Sequence, residues 1–525
     1  MFLPLLVFVC GMAVMIVELV AIRLFAPYAG TSIEVWTAVI GVMMAGLAGG
    51  YALGGVLGDR LKSEAFLRSV VRAAALWLLL MVLTHRSLLE WLSLTDMPGF
   101  IAVTGSMLLV AVPSVLLGMV YPYVVRLQMQ RVDHAGRITG RLSALSTAGS
   151  ILGTFLTGFV LVPLLPTGAI LVVTAVVLVL LAGVWNGWKH LLLTCALITI
   201  GLMVWRGQAF MRSLAGERDG IIEEVETRYA SIRVRRGPAV AGLERAVILE
   251  VDQGWHAAIF PEEPDTHVFP YTRFYRLLDA FRPDVGRALL LGGGGYTVAR
   301  DFIRRHPRGR IDVVEIDPAV TALARKYFGL TDDPRMDITH EDARTFLNRR
   351  DDDVQSRGDR VNGTWPHAAF TGYVALRESR LQERFHVVFG DVFRSRRSIP
   401  FHMATVETAR LIHEVLDDRG MYLLNIISAE TGGHSSFLRA ELKTLRGVFP
   451  HVALYRVPRR TDDGDSSVFR NYMIVASKVP LIPVAGLGGE LADMLSTQVS
   501  LPDDPSVPVP ILRDDYAPVE ALLRL

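Results

Sequence analysis

Cysteine is almost absent: Cys10 and Cys195 are the only two in 525 residues, and both lie inside apolar runs. That excludes a disulfide framework and a thiolate metal site. Net charge is nearly absent as well, at +2, so bulk electrostatics selects no polyanionic partner and leaves no nucleic-acid footprint. No basic residue precedes the first apolar run, and that run is too long for a cleaved signal peptide. The front of the chain also has few charges of either sign. Mean hydropathy is +0.36, and the excess sits in residues 1–206, while the rest has the texture of a soluble domain.

A membrane-spanning helix needs roughly 20 mostly apolar residues. Spans are expected near 2–24, 35–57, 70–94, 100–122, 143–165, 168–185 and 189–206, about seven in all. His85, Arg86 and Glu90 interrupt the third. Gly46, Gly50, Gly54 and Gly58 recur once per turn on one face of the second. Small residues at that spacing form a helix-packing seam or line a substrate path. Glu18 lies deep in the first span with Arg23 five residues on. An intramembrane carboxylate is either a functional group or half of a structural pair. The loops holding Arg60, Lys62, Arg68 and Arg72, and Arg126, Arg131, Arg137 and Arg141, carry the positive charge that marks the cytoplasmic side. Seven crossings would then leave the following domain outside. A nucleotide-type cofactor requires it to be cytoplasmic, so one span is miscounted, the interrupted third or the short seventh.

After residue 220, "YASIRVRRG", "RAVILEVDQG" and "HAAIF" alternate like strands of a small β-rich subdomain. Strand–helix units follow. "RALLLGGGGYTVARDFIRRH" is a buried strand, a glycine loop and an amphipathic helix. "RIDVVEIDPAVTALARKYFG" repeats the unit, with Pro318 in the first helical turn and Gly329 as a stop. "MDITHEDARTFL" begins a third, and "FHVVFGD", "GMYLLNIIS", "HVALYRV" and "NYMIVASK" supply further strands. The order predicts a mostly parallel sheet, with the last two strands forming a hairpin at its edge.

Gly292, Gly293, Gly294 and Gly295 let a ligand approach the backbone at a helix N-terminus. Glu315 ends the next strand at the distance from which an acid binds ribose hydroxyls. Asp342 ends the third strand, where an acidic side chain meets an adenine amine. Asp391 ends "FHVVFGD", the usual place for a working carboxylate, yet Arg394, Arg396 and Arg397 follow at once. The alternative for Glu315 and Asp342 is a purely structural role, and for Asp391 a cap on the turn that follows.

Taken together, "LLLGGGGYTVAR", "VVEIDPAV", "HEDARTFL" and "VVFGDVF" resemble the polyamine aminopropyltransferases, or spermidine synthases. "FPYTRFYRLL" resembles their substrate-proximal segment. "IVELVAIRLFAPYAGTSIEVW" and the tail "ILRDDYAPVEALL" resemble the subgroup fused to a transporter-like membrane domain. The resemblance implies an α-helical transmembrane domain (1–206), a small β subdomain (220–280), a Rossmann-like domain of the S-adenosylmethionine type (281–480) and a Pro-rich tail (481–525). It implies aminopropyl transfer from decarboxylated S-adenosylmethionine, with no tightly bound cofactor and no metal. By position, Gly292, Gly293, Gly294 and Glu315 would hold the donor's sulfur end and ribose. Asp342 and Ala343 would meet the adenine, Asp391 would be the general base, and Tyr271 or Tyr275 would shape the amine pocket.

Expected partners are the lipid bilayer, a small-molecule amine and, as one option, a second copy of the chain. The expected location is the cell membrane, multi-pass, with the soluble domain cytoplasmic. Two departures bear on substrate. The family's second acid of Asp-x-x-Asp is Arg394 here, and the Asp that grips the donor's amine is Gly295. They keep two alternatives open: methyl transfer from S-adenosylmethionine, or a non-catalytic sensing domain on a transporter-like protein. Asp462, Asp463, Asp465, Asp514, Asp515 and Glu520 are candidate compensating acids, with solvated loop charge as the plainer reading. The charged stretch Asn348–Arg380 reads as a mobile loop or lid.

Overall fold

The computed structural model describes residues 2–29, 33–95, 97–129, 135–183, 220–238, 242–252, 254–358, 384–393, 399–458, 467–501 and 507–523; at 98 and 351–358 it describes the backbone alone. The chain divides into two compact units, Met1–Ser231 and Ile232–Leu525.

Among the described residues of the first unit, four helices are long and apolar enough to cross a membrane: Phe2–Ala29, Ile33–Leu61, Glu64–Ser93 and Ala135–Leu164. A bent pair, Gly99–Leu109 and Ala111–Gln128, makes up to five if it counts as one span. The expected span at 189–206 lies outside the described residues. The third helix absorbs its polar residues locally. Arg86 pairs with Glu90 at 2.9 Å, and His85 Nδ1 lies 3.0 Å from the Met81 and Val82 carbonyls.

The 49° bend in the pair has a chemical cause. Pro113 has no N–H to offer the Leu109 carbonyl, and Trp77 Nε1 donates to that carbonyl instead, at 3.0 Å. Ala135–Leu164 widens into a π-turn at Thr157–Leu161, just before Pro163 interrupts the ladder.

The glycine stripe is a packing seam. Gly46, Gly50, Gly54 and Gly58 are the buried glycines of Ile33–Leu61. A Cβ on Gly50 would land on the Val115 carbonyl, and one on Gly54 on the Met119 carbonyl. Gly49 has nothing within 4 Å of its would-be Cβ. Gly50→Leu is therefore expected to lower the melting temperature of detergent-purified protein, through an overpacking cost of about 1–3 kcal/mol or more. Gly49→Leu should leave it unchanged, and equal melting of the two variants would remove the seam.

Arg23 makes contacts beyond its own helix. Its guanidinium donates to the Thr227 and Arg228 carbonyls, at 2.5 and 3.1 Å. These residues follow β1 (Ile221–Glu226) in the same unit.

The second unit opens with an antiparallel meander, β2 (Ser231–Arg236), β3 (Val247–Val251) and β4 (Gly254–Ile259). Among the described residues, the large sheet has eight strands: β5 (Arg287–Leu291), β6 (Arg310–Val314), β7 (Met336–Thr339), β8 (Phe385–Gly390), β9 (Leu416–Ser428), β10 (His451–Arg456), β11 (Arg470–Ser477) and β12 (Gln498–Val499). Its order is β12-β10-β11-β9-β8-β5-β6-β7. Strands β7 to β9 in that order run parallel, while β11 and β10 are antiparallel and form the expected hairpin; it is not at the sheet edge, because the short β12 pairs with β10 and lies outside it. This is the Rossmann-like arrangement of methyltransferase-type folds. The chain moves outward from β5 to β7 and then returns to β8 on the other side of β5. That reversal opens a crevice at the carboxyl ends of β5 and β8.

Local signals explain the helices. Asp317 caps Pro318–Tyr327 by accepting from the Ala319 N–H at 3.0 Å, and Gly329 turns the chain at φ +66°. One expectation needs correction. Residues 348–358 are not loop, because the helix Ala343–Gly358 runs through them. Burial of Phe346 and Leu347, and of Arg350, which stacks on Phe346 and Phe385 and reaches Asp312 at 3.1 Å, keeps the helical register. Residues 359–383 lie outside the described residues.

Candidate functional site

The glycine loop links β5 to the helix Thr297–Arg305. Gly292 and Gly294 take positive φ, +92° and +50°, which only glycine adopts without strain. Tyr296, which follows the four glycines, is left-handed too, at φ +56°. That conformation costs an L-residue roughly 1–2 kcal/mol. Tyr296 is fully buried, and its hydroxyl lies 2.6 Å from Thr321 Oγ1, so packing and a hydrogen bond offset the strain.

Glu315 organises this loop. One carboxylate oxygen accepts the Gly293 and Gly294 N–H groups at 2.9 and 3.3 Å, and the other accepts the Asp317 N–H at 3.0 Å. Burial pushes its pKa up, while the three backbone donors oppose the shift. Asp342 stands apart from this cluster. Its Oδ1 accepts the Thr345 N–H at 3.0 Å, at the start of the helix Ala343–Gly358. Its Oδ2 is 3.5 Å from His402 Nε2. The His402 hydrogen bond is the main cause holding its carboxyl down at about 2. Ala343 beside it is buried.

Asp391 follows β8 directly, and its N–H donates to the Leu291 carbonyl at 2.9 Å. The base candidate is thereby stitched to the strand that carries the glycine loop. Its Oδ2 accepts from Tyr271 Oη at 3.3 Å and its Oδ1 from Asn425 Nδ2 at 3.1 Å. Asn471 Nδ2 in turn donates to Asn425 Oδ1 at 2.9 Å. Burial pushes the Asp391 pKa up to about 6, a value suited to a base near neutral pH. Tyr275 is buried, donates to the Gly390 carbonyl at 2.7 Å and also interacts with the Asp391 carboxylate.

A partly open cavity joins these parts, walled by Gly292, Gly293, Gly294, Gly295, Tyr271, His256, Ala257 and Asp391. The structure therefore brings Asp391, Tyr271 and the glycine loop together, with Glu315 supporting the loop from behind. Tyr275, Asp342 and Ala343 do not line this cavity. Arg394, Arg396 and Arg397, and Asp462, Asp463 and Asp465, lie outside the described residues.

Three features escaped the sequence reading. Asn425 had a signal, a lone amide in the apolar run "YLLNII". His256 had none; its carbonyl lies 3.4 Å from Tyr271 Oη, and burial pushes its imidazole down to about 4. Gly295 has no room for a side chain, since a Cβ there would sit 2.7 Å from Ala257 Cβ and 3.3 Å from the Phe328 ring. Strand β4 covers the position where the resemblance would put an aspartate.

Comparison with known proteins places relatives alongside this geometry. The chain is 24% identical over 193 residues to a polyamine aminopropyltransferase of Vibrio vulnificus, covering 37% of this chain and 53% of that protein. It is 27% identical over 168 residues to an eEF1A lysine and N-terminal methyltransferase of Danio rerio, covering 31% of this chain and 19% of that protein. The chain thus spans about half the length of the first relative and about a fifth of the second. Among solved structures, a probable spermidine synthase from Corynebacterium glutamicum aligns with 22% identity and a TM-score of 0.37, over 50% of this chain and 81% of that one. No family model matches. The C-terminal part is homologous, at low identity, to polyamine aminopropyltransferases and to S-adenosylmethionine-type methyltransferases.

Proposed function

We propose that this chain is a membrane-bound aminopropyltransferase that moves an aminopropyl group from decarboxylated S-adenosylmethionine to an amine. The observation that carries the proposal is the Asp391 carboxylate on the wall of a glycine-loop cavity, with Tyr271 and Asn425 bonded to its two oxygens. An amine attacks the carbon next to the donor's sulfonium. The C–S bond breaks, its electron pair stays on sulfur as a neutral thioether, and the amine's proton passes to Asp391. Alignment of amine and donor in the cavity supplies much of the remaining acceleration. Glu315 and the glycine loop serve the donor's ribose and sulfur end, Asp342 and Ala343 its adenine, and Tyr271 the amine. The helices of the first unit hold the protein in the cell membrane, with the catalytic part on the cytoplasmic side.

A second reading is methyl transfer from S-adenosylmethionine itself, and one observation favours it. With β4 over Gly295, the site lacks the carboxylate that would grip the donor's amine at that position. Calorimetric titration of the purified full chain with both donors separates the two. Tighter binding of the decarboxylated donor is the expected result. Tighter binding of S-adenosylmethionine would replace the proposal with methyl transfer, and binding of neither would remove the donor site.

A further inference from the structure

Residues 507–523 return to the core of the second unit. Leu512, Val519 and Leu522 are buried there with Phe346 and Phe437. The Leu512 N–H donates to Thr444 Oγ1 at 2.9 Å, and its carbonyl accepts the Val406 N–H at 2.9 Å. Apolar burial and these two bonds anchor the tail without its charged residues.

Asp514 makes a separate set of contacts. Its Oδ2 accepts from Arg344 Nη2 at 2.8 Å and its Oδ1 from Thr405 Oγ1 at 2.7 Å. Its own N–H donates to Glu407 Oε2 at 3.0 Å. Arg344 Nη1 also donates to the His402 carbonyl at 3.3 Å and to the Thr408 hydroxyl. Arg344 comes immediately after Asp342 and Ala343. His402 and Thr405 belong to the segment between Asp391 and the helix Val406–Val415. One tail carboxylate thus ties together the chain leaving β7 and the chain leaving β8, and His402, within this knot, faces Asp342.

A lone exposed ion pair would contribute little. Here the Arg344 side chain is 16% exposed and that of Asp514 45%, and the guanidinium serves the His402 carbonyl and the Thr408 hydroxyl as well as Asp514. Its orientation is therefore set by the tail and transmitted to both segments.

We propose that Asp514 is a positioning residue for the donor: acting through Arg344, it sets the spacing between the Asp342–Ala343 wall and the turn that holds His402 and Thr405. The proposal rests on the reading of Asp342 and Ala343 as the adenine wall. It assigns the tail motif a role in binding the adenosine end, and none in the transfer step.

The test uses the full-length protein and 5′-methylthioadenosine, which shares its adenosine end with both donor candidates. Asp514→Asn should weaken binding about tenfold, as expected for loss of a charge-assisted hydrogen bond, with kcat within about twofold of wild type. Asp514→Glu should recover part of the affinity. Leu522→Ala should lower the melting temperature and leave affinity unchanged, which separates anchoring from positioning. Equal affinity of wild type and Asp514→Asn would overturn the proposal alone, as would affinity, kcat and melting temperature falling together in Asp514→Asn. A wild type that binds no adenosine ligand would overturn both this proposal and the donor site.

Discussion

Asp391→Asn is expected to cut turnover by about 10²–10⁴-fold with donor affinity nearly unchanged. Asparagine has the same shape, so Tyr271 and Asn425 keep partners of similar geometry, but the amide cannot take the amine's proton. The pH profile supplies the second half of the result. The carboxyl titrates at about 6 because of burial, and only its ionised form is a base. Wild-type kcat/KM should therefore rise as pH increases through about 6 and fall about tenfold per unit below it. In the variant that limb should be absent. The measurement is initial rate against pH alongside calorimetric donor affinity. Turnover that survives the substitution would remove Asp391 from the chemistry and favour a sensing role for the domain.

The other large effect is Gly292→Ala. Gly292 is at φ +92°, and a Cβ there would land on the Asp391 carbonyl, with the carbonyl carbon at 2.9 Å. Neither side can easily move away. The Gly292 N–H is bonded to the Val314 carbonyl at 2.9 Å, and the Asp391 N–H to the Leu291 carbonyl at 2.9 Å. Backbone strain of roughly 1–2 kcal/mol plus overpacking of about 1–3 kcal/mol gives a destabilisation of about 2–5 kcal/mol. The expected outcome is a melting temperature lower by on the order of 10 °C and loss of measurable donor binding. Gly294→Ala is the control. It shares the positive φ, but its would-be Cβ meets nothing closer than 3.9 Å, so only the strain remains. If Gly292→Ala melts and binds like Gly294→Ala, the close approach of the glycine loop to the Asp391 turn is not a constraint on this protein.

The candidate site was partly legible from local pattern. Asp391 and Glu315 stood out because each ends a continuous apolar run, and a buried parallel strand places its next polar residue in the crevice at its carboxyl end. Tyr271 was legible only through the family resemblance, and it does meet Asp391. Tyr275 donates to the Gly390 carbonyl beside Asp391, and Asp342 accepts from the Thr345 N–H; the run of residues around each does not reveal the partners that the fold brings to it. The tail acids looked like solvated charge, but Asp514 is bonded to Arg344 170 positions away.

By itself, the sequence determined the apolar helices of the first unit, the strand–helix alternation, the glycine loop and the acids at the strand ends. Hydrophobic period, turn chemistry and capping are short-range properties, and they can be read within a window of a dozen residues. Tertiary structure alone decided which of those acids share a cavity. Tyr271 and Asp391 are 120 positions apart, and Asp391 and Asn425 are 34 apart. They meet because the sheet reverses direction at β5 and sets β8 beside it. The closure over Gly295 was likewise decided in three dimensions, by how β4 packs on the glycine loop. Packing of this kind depends on which surfaces face each other, and that is fixed only when the whole sheet is assembled.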